Sequence, residues 1–158
     1  LFLGLNCGSQ RLTLAALVVH SHIMKHFVLG FCVMMVGCQS PPPDVSKATM
    51  SYPHQLHSTG TEPIQVIRDQ EHITIVNSTA RSFGSSNLWI NQQYTQPLPP
   101  IPAGSTLRVN LWDCYDDLGD QFNAGGFWRT DEPTQLVLAQ LQLGDEQPLV
   151  GLLVIGEN

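Results

Sequence analysis

The sequence predicts an all-β domain, a small antiparallel β-sandwich of about six to eight short strands. Three observations predict it. Short segments alternate apolar and polar side chains around β-branched residues, the period of a half-buried strand. Clusters of Gly, Pro, Asn, Asp and Gln punctuate them as turns. Charged residues are only 13% of the chain, too few for several helices with charged outer faces.

The elements follow in order. Ile64, Val66 and Ile67 lead into Asp69-Gln70-Glu71, a polar turn. His72 to Asn77 then alternates, with Ile73 and Ile75 on one face and Thr74 and Val76 on the other, so residues 64–77 read as a hairpin. Ser78 to Asn87 is a polar loop. Leu88-Trp89-Ile90-Asn91 is the next strand, with Leu88 and Ile90 opposed to Trp89, and Asn91 to Tyr94 is a tight turn into another short strand. Pro97 to Gly104 is proline-rich, hence loop or edge, because proline cannot donate to a central ladder. Thr106 to Leu111 points Leu107, Val109 and Leu111 inward and Arg108 and Asn110 outward. Gln135 to Leu143 repeats the pattern, with Val137, Ala139, Leu141 and Leu143 opposing Gln140 and Gln142. After a turn at residues 144–147, the nearly continuous apolar run from Leu149 to Ile155 reads as a central strand closing a C-terminal hairpin. Trp89 and Phe122 are assigned to the core. With its apolar-aromatic strand at Leu88-Trp89-Ile90, this pattern loosely resembles immunoglobulin-like modules. The Cys…Trp…Cys spacing of antibody domains is absent, so the resemblance implies architecture alone.

The N-terminal third has a different texture. Met24, Lys25 and His26 precede the apolar run Phe27 to Val36, which ends in Gly37-Cys38. A cationic start, a short apolar core and a small residue form an export signal. The run is about half of the roughly 20 apolar residues that a spanning helix needs, and His20, His22, Lys25 and His26 block its extension backwards. Met35-Val36-Gly37-Cys38 resembles the lipobox of bacterial lipoproteins. That resemblance implies cleavage before Cys38, acylation of its thiol and new amino terminus, and a membrane anchor; Gln39, in place of an aspartate, implies the outer membrane. Residues 1–23 are expected to be an upstream extension from a start site placed too early, and residues 24–37 a signal peptide. Residues 38–63 then form the lipidated cysteine with a linker, and residues 64–158 the sandwich domain. The linker begins Gln39-Ser40-Pro41-Pro42-Pro43 and shows no apolar periodicity, so it reads as a disordered, semi-rigid tether.

Net charge is -6 and no Lys/Arg stripe exists, so nucleic acid is not an expected partner. Of the cysteines Cys7, Cys32, Cys38 and Cys114, cleavage removes two and acylation consumes a third. Cys114 then stands alone, packing rather than disulfides must hold the domain, and its acidic neighbours disfavour a reactive thiolate.

The candidate chemistry lies in Asp113-Cys114-Tyr115-Asp116-Asp117-Leu118-Gly119-Asp120. Asp113, Asp116, Asp117 and Asp120 are candidate calcium ligands, since calcium takes several oxygens from a short loop. The spacing is not that of an EF-hand, and the plainer expectation is a solvated turn. Two carboxyls for glycoside hydrolysis must face each other across a cleft, which a single turn does not provide. His54 and His57, at i and i+3 in the linker, lack a third metal ligand. His72 opens a strand, where a surface role is expected. Trp112, Tyr115, Trp128 and Arg129 form a candidate partner-binding patch, because neighbours such as Leu111-Trp112 and Phe127-Trp128 fall on opposite faces of a strand. The expectation is a membrane-anchored, non-enzymatic envelope lipoprotein without a cofactor, binding an envelope protein or polysaccharide. The alternative is a cation-dependent carbohydrate binder or small hydrolase built on loop 113–120.

Overall fold

The computed structural model describes residues 42–126 and 131–156, all within the unit Pro42–Asn158 into which the chain divides beside Leu1–Pro41. Cys38, Trp128 and Arg129, with their expected roles, lie outside the described residues.

Among the described residues seven strands form: β1 (Thr61–Asp69), β2 (His72–Asn77), β3 (Ser86–Ile90), β4 (Tyr94–Leu98), β5 (Thr106–Asn110), β6 (Ala139–Gln142) and β7 (Val150–Ile155). They make one sheet in the order β4-β3-β6-β7-β1-β2-β5. The all-β expectation holds, with no α-helix among the described residues. The arrangement is a mixed, curled sheet. One pairing corrects the antiparallel expectation: β1 runs parallel to β7, in register at Val66 with Val154 and Ile67 with Ile155. The rest are antiparallel. The first strand thus slots beside the last, and β7 lies at the centre of the order, as its apolar run predicts.

Local sequence explains each strand. Ile73, Ile75 and their β-branched neighbours favour extended backbone. Gln70 takes φ 52° in the two-residue loop joining β1 to β2. Asn91 and Gln92, at φ 53° and 60°, turn β3 into β4 through a three-residue loop in which Gln93 N–H donates to Ile90 O at 3.0 Å. The Asn91 side chain holds the loop beyond it: Oδ1 accepts from Val137 N–H (2.9 Å) and Leu138 N–H (3.2 Å), and Nδ2 donates to Gln135 O (2.6 Å). That loop is not strand, so Val137 is 74% exposed instead of inward-facing and β6 starts only at Ala139.

The core fills one face. Ile64, Val66, Ile73, Ile75, Leu88, Ile90, Val109 and Leu141 are buried together, with Phe122 and Leu111 from the loops. The sheet curls because the far side of β4 meets the chain that follows β5. Thr95 and Tyr115 exchange backbone hydrogen bonds of 2.9 and 3.2 Å. This pairing covers part of an edge that would otherwise present open N–H and C=O groups.

The opposite face of β3 and β6 is covered by the segment expected to be a tether. Residues 42–60 lie along the domain through short 3-10 turns at Val45–Lys47 and His54–Leu56. Asp44 N–H donates to Gly119 O (3.1 Å), Thr49 N–H to Asp116 O (2.9 Å), Leu149 N–H to Leu56 O (2.8 Å) and Gly151 N–H to Gly60 O (3.1 Å). Tyr52 is the anchor. It is buried with Trp89 and Leu149, meets the Trp89 ring edge-on at 5.2 Å, and donates its hydroxyl to Gln140 Oε1 (2.6 Å). The same hydroxyl lies 2.7 Å from His57 Nδ1, which Gln92 Nε2 and Gln140 Nε2 also approach at 3.3 and 3.4 Å. The disordered-tether expectation is therefore corrected for residues 42–60. Proline sets the backbone, but one aromatic side chain and a row of main-chain hydrogen bonds make the segment a strap. The strap bonds Gln140 through Tyr52 and Ser58, and Gln142 is held by Trp89; both are buried although alternation placed them outward.

Candidate functional site

The aspartate-rich loop and the start of the strap build one ledge. After β5, Asn110 caps a single 3-10 turn, Leu111–Asp113, by accepting from Trp112 N–H at 3.1 Å. Leu111 and Cys114 point into the core. Tyr115 pairs with β4 and is half-buried, with Lys47 Nζ 5.0 Å from its ring centroid. Trp112 is half-buried and packs against the core. Of the expected aromatic patch, the structure brings Trp112 and Tyr115 to this ledge, where Gln121 Nε2 reaches both the Trp112 carbonyl (2.6 Å) and the Tyr115 hydroxyl (3.0 Å).

Asp116 organises the turn. It is 2% exposed. Its Oδ1 accepts from Leu118 N–H (2.9 Å) and Asp120 N–H (2.8 Å), and its Oδ2 from Gln93 Nε2 (3.1 Å). Burial by itself would push this carboxyl up. The bonds from Gln93 and from the N–H groups of Asp120, Leu118 and Gly119 outweigh it and hold the carboxyl below the ordinary aspartate range. Both oxygens thus face N–H donors, the geometry of a polar turn. Asp113 and Asp117 are exposed, Asp120 is half-buried, and Ser51 Oγ donates to Asp117 Oδ2 at 2.6 Å. No group of three or more metal-ligating side chains gathers among the described residues.

Gly119 closes the ledge. Its φ of 86° is left-handed, and a Cβ there would stand 2.2 Å from Asp44 O. Only glycine lets the strap approach so closely. Val45 and Leu118, which adjoin this contact in the chain, and Met50, which follows the Thr49–Asp116 bond, have exposed side chains.

Burial first, and then the Asp113 charge, push the Cys114 thiol up to about 12. A thiol held that high is a packing group, not a nucleophile. Folded protein is expected to leave Cys114 unmodified by a thiol reagent at neutral pH and to react fully in denaturant. Rapid labelling of the folded state would contradict the burial.

A concavity of about 690 Å³ lies where β1 and β7 end, lined in part by Arg68, Gly125, Gly126, Glu132 and Ile155. Arg68 shapes it by donating to the carbonyls of Gln70 (3.1 Å), Thr134 (2.6 Å) and Ala124 (3.0 Å).

Sequence patterning does not single out Tyr52, Asn91, Gln140 or Asn77. The last is fully buried, and its Nδ2 donates to Arg81 O (2.8 Å) and Pro102 O (2.9 Å), joining two loops. An aromatic residue inside a proline-rich segment, at Tyr52-Pro53, was the available signal for the strap. Neither a protein-family model, nor a curated protein, nor a solved structure matches this chain. No helix among the described residues is long and apolar enough to cross a membrane.

Proposed function

We propose that this chain is a bacterial envelope lipoprotein, exported and anchored through acylated Cys38, whose β domain is a non-enzymatic binding or structural module. The observation that carries the proposal is the sequence Met35-Val36-Gly37-Cys38 at the end of the apolar run Phe27 to Val36. The domain's chemistry supports it. The Asp116 oxygens are engaged by N–H groups and the Cys114 thiol is buried, so two of the most reactive side chains serve the fold. The curled sheet, closed by the Thr95–Tyr115 pairing around its main core and carrying a smaller cluster at Tyr52, Trp89 and Leu149, is read as a sandwich-like module with immunoglobulin-like character limited to its strand number and Trp89. An envelope protein or polysaccharide is the proposed ligand class, with Trp112 and Tyr115 as its proposed contact residues.

The experiment is expression of the full chain in a bacterial host, followed by mass spectrometry and detergent phase separation. The wild type should carry a diacylglyceryl-sized mass on Cys38 and enter the detergent phase, and Cys38→Ala should do neither. An unmodified wild-type cysteine would sink the proposal. The alternative, a cation-dependent carbohydrate binder or hydrolase on loop 113–120, requires calcium to raise the melting temperature and Asp116→Asn with Asp117→Asn to abolish that rise.

A further inference from the structure

We infer that the ledge formed by Val45, Met50 and Leu118 is a membrane-contacting face, and that its partner is the zwitterionic lipid surface that holds the anchor. The inference rests on acylation at Cys38.

Two observations lead to it. The first is the number of residues between Cys38 and the first fixed point of the domain. Asp44 is fastened to Gly119 by its N–H, and Thr49 to Asp116, so only residues 39–43 remain between Cys38 and the first fixed point. At about 3.3–3.6 Å per residue, covalent geometry limits that span to roughly 20 Å. A domain of about 100 residues has a radius of gyration near 13 Å, so it is wider than the spacer is long. An acylated Cys38 therefore cannot hold the domain clear of the bilayer with any face free to turn toward it.

The second observation is what surrounds the fixed point. Val45 is 78% exposed, Leu118 65% and Met50 51%, and Val45 and Leu118 flank the Asp44–Gly119 contact. Met50 follows Thr49, whose N–H is bonded to Asp116 O, so all three exposed apolar residues belong to the segments that these two backbone bonds join, and such grouping marks an interaction surface more than scattered exposure does. Here they stand where the chain leaves for its anchor. Three side chains bind a membrane weakly alone. A covalent anchor makes the contact intramolecular, at millimolar effective concentration, where weak contact suffices. The charge around the patch selects the lipid: Asp44, Asp113 and Asp117 are exposed and repel an anionic surface, while Lys47 is drawn onto the Tyr115 ring.

The test uses the acylated full-length product in phosphatidylcholine vesicles with brominated acyl chains. An environment-sensitive fluorophore is placed at Leu118→Cys, at Val45→Cys, or at Ala103→Cys in the exposed turn before β5. Cys114 is buried and does not compete for the label. Bromine should quench the labels at 118 and 45 about two-fold, as for groups inserted at the headgroup–acyl boundary, and leave that at 103 unchanged. Equal quenching at all three sites, or none, overturns the inference while leaving the anchor intact. Shielding of residue 118 from aqueous iodide without bromine quenching also overturns it, and points to a protein on the ledge. A protein that carries no acyl group and fails to float with vesicles overturns the lipoprotein reading and this face with it.

Discussion

Trp89→Ala is expected to lower the unfolding free energy by about 3–5 kcal/mol, the range for removing a large buried aromatic side chain. Trp89 is 1% exposed and ties three elements together. Its backbone pairs with Thr95 of β4 and Gln140 of β6, its ring takes the edge of Tyr52, and its Nε1 donates to Gln142 Oε1 at 2.8 Å. Alanine leaves a cavity under the strap and strands the Gln142 carbonyl, which alone costs about 1–3 kcal/mol if buried. Urea unfolding is the measurement. With a slope of about 1–3 kcal/mol per molar, the midpoint should fall by more than about 1 M. A fall below about 0.3 M would mean that the strap contributes little to the folded state. The same variant should expose residues 52–58 to proteolysis before the sheet itself unfolds.

Asp116→Ala should cost about 2–4 kcal/mol, because Leu118 N–H, Asp120 N–H and Gln93 Nε2 lose their acceptor in a site where water does not readily replace it. Asp116→Asn keeps Oδ1 and should recover much of this, with the Gln93 amide turning over to accept. The two variants also separate on acidification. The folded Asp116 carboxyl titrates below its unfolded value. Its contribution is thus complete above the unfolded value, near 3.9, and is lost as pH falls through the lower folded value. Wild-type protein should lose melting temperature below about pH 4 more steeply than Asp116→Asn. Parallel acid profiles would show that the carboxylate is not the source of the turn's stability.

The strands were legible because their information is local. The alternation of Ile73 and Ile75 against Thr74 and Val76, of Leu107 and Val109 against Arg108, and of Leu88 and Ile90 against Trp89 states which face is buried before any partner is known. Even the central place of Leu149 to Ile155 could be read from apolarity on both faces. The strap could not. Its attachment depends on Tyr52 meeting Trp89 and Gln140, residues 37 and 88 positions later, and a pattern confined to a window carries nothing about such distances. For the same reason Gln140 and Gln142 looked like solvent-facing residues, although each is buried in a hydrogen bond to an aromatic side chain. The parallel pairing of β1 with β7 was equally hidden, since both strands would satisfy their periodicity in either direction. In the aspartate-rich loop composition was visible but the division of labour was not. Which carboxylate turns inward depends on Gln93, contributed by a hairpin elsewhere in the chain.

The partnership of β1 with β7 also orders events in time. Antiparallel hairpins such as β1–β2 and β3–β4 close within a few residues of themselves, but Gln65 meets Leu153 only after nearly the whole domain has emerged. Contacts of such long separation are late to form, because the loop entropy comes before the reward. Until β7 arrives, β1 and β6 each present an unpaired inner edge, and the sheet is two fragments rather than one. Closure of the sheet therefore waits on a strand from the far end of the domain, and the two halves on either side of β7 are joined last.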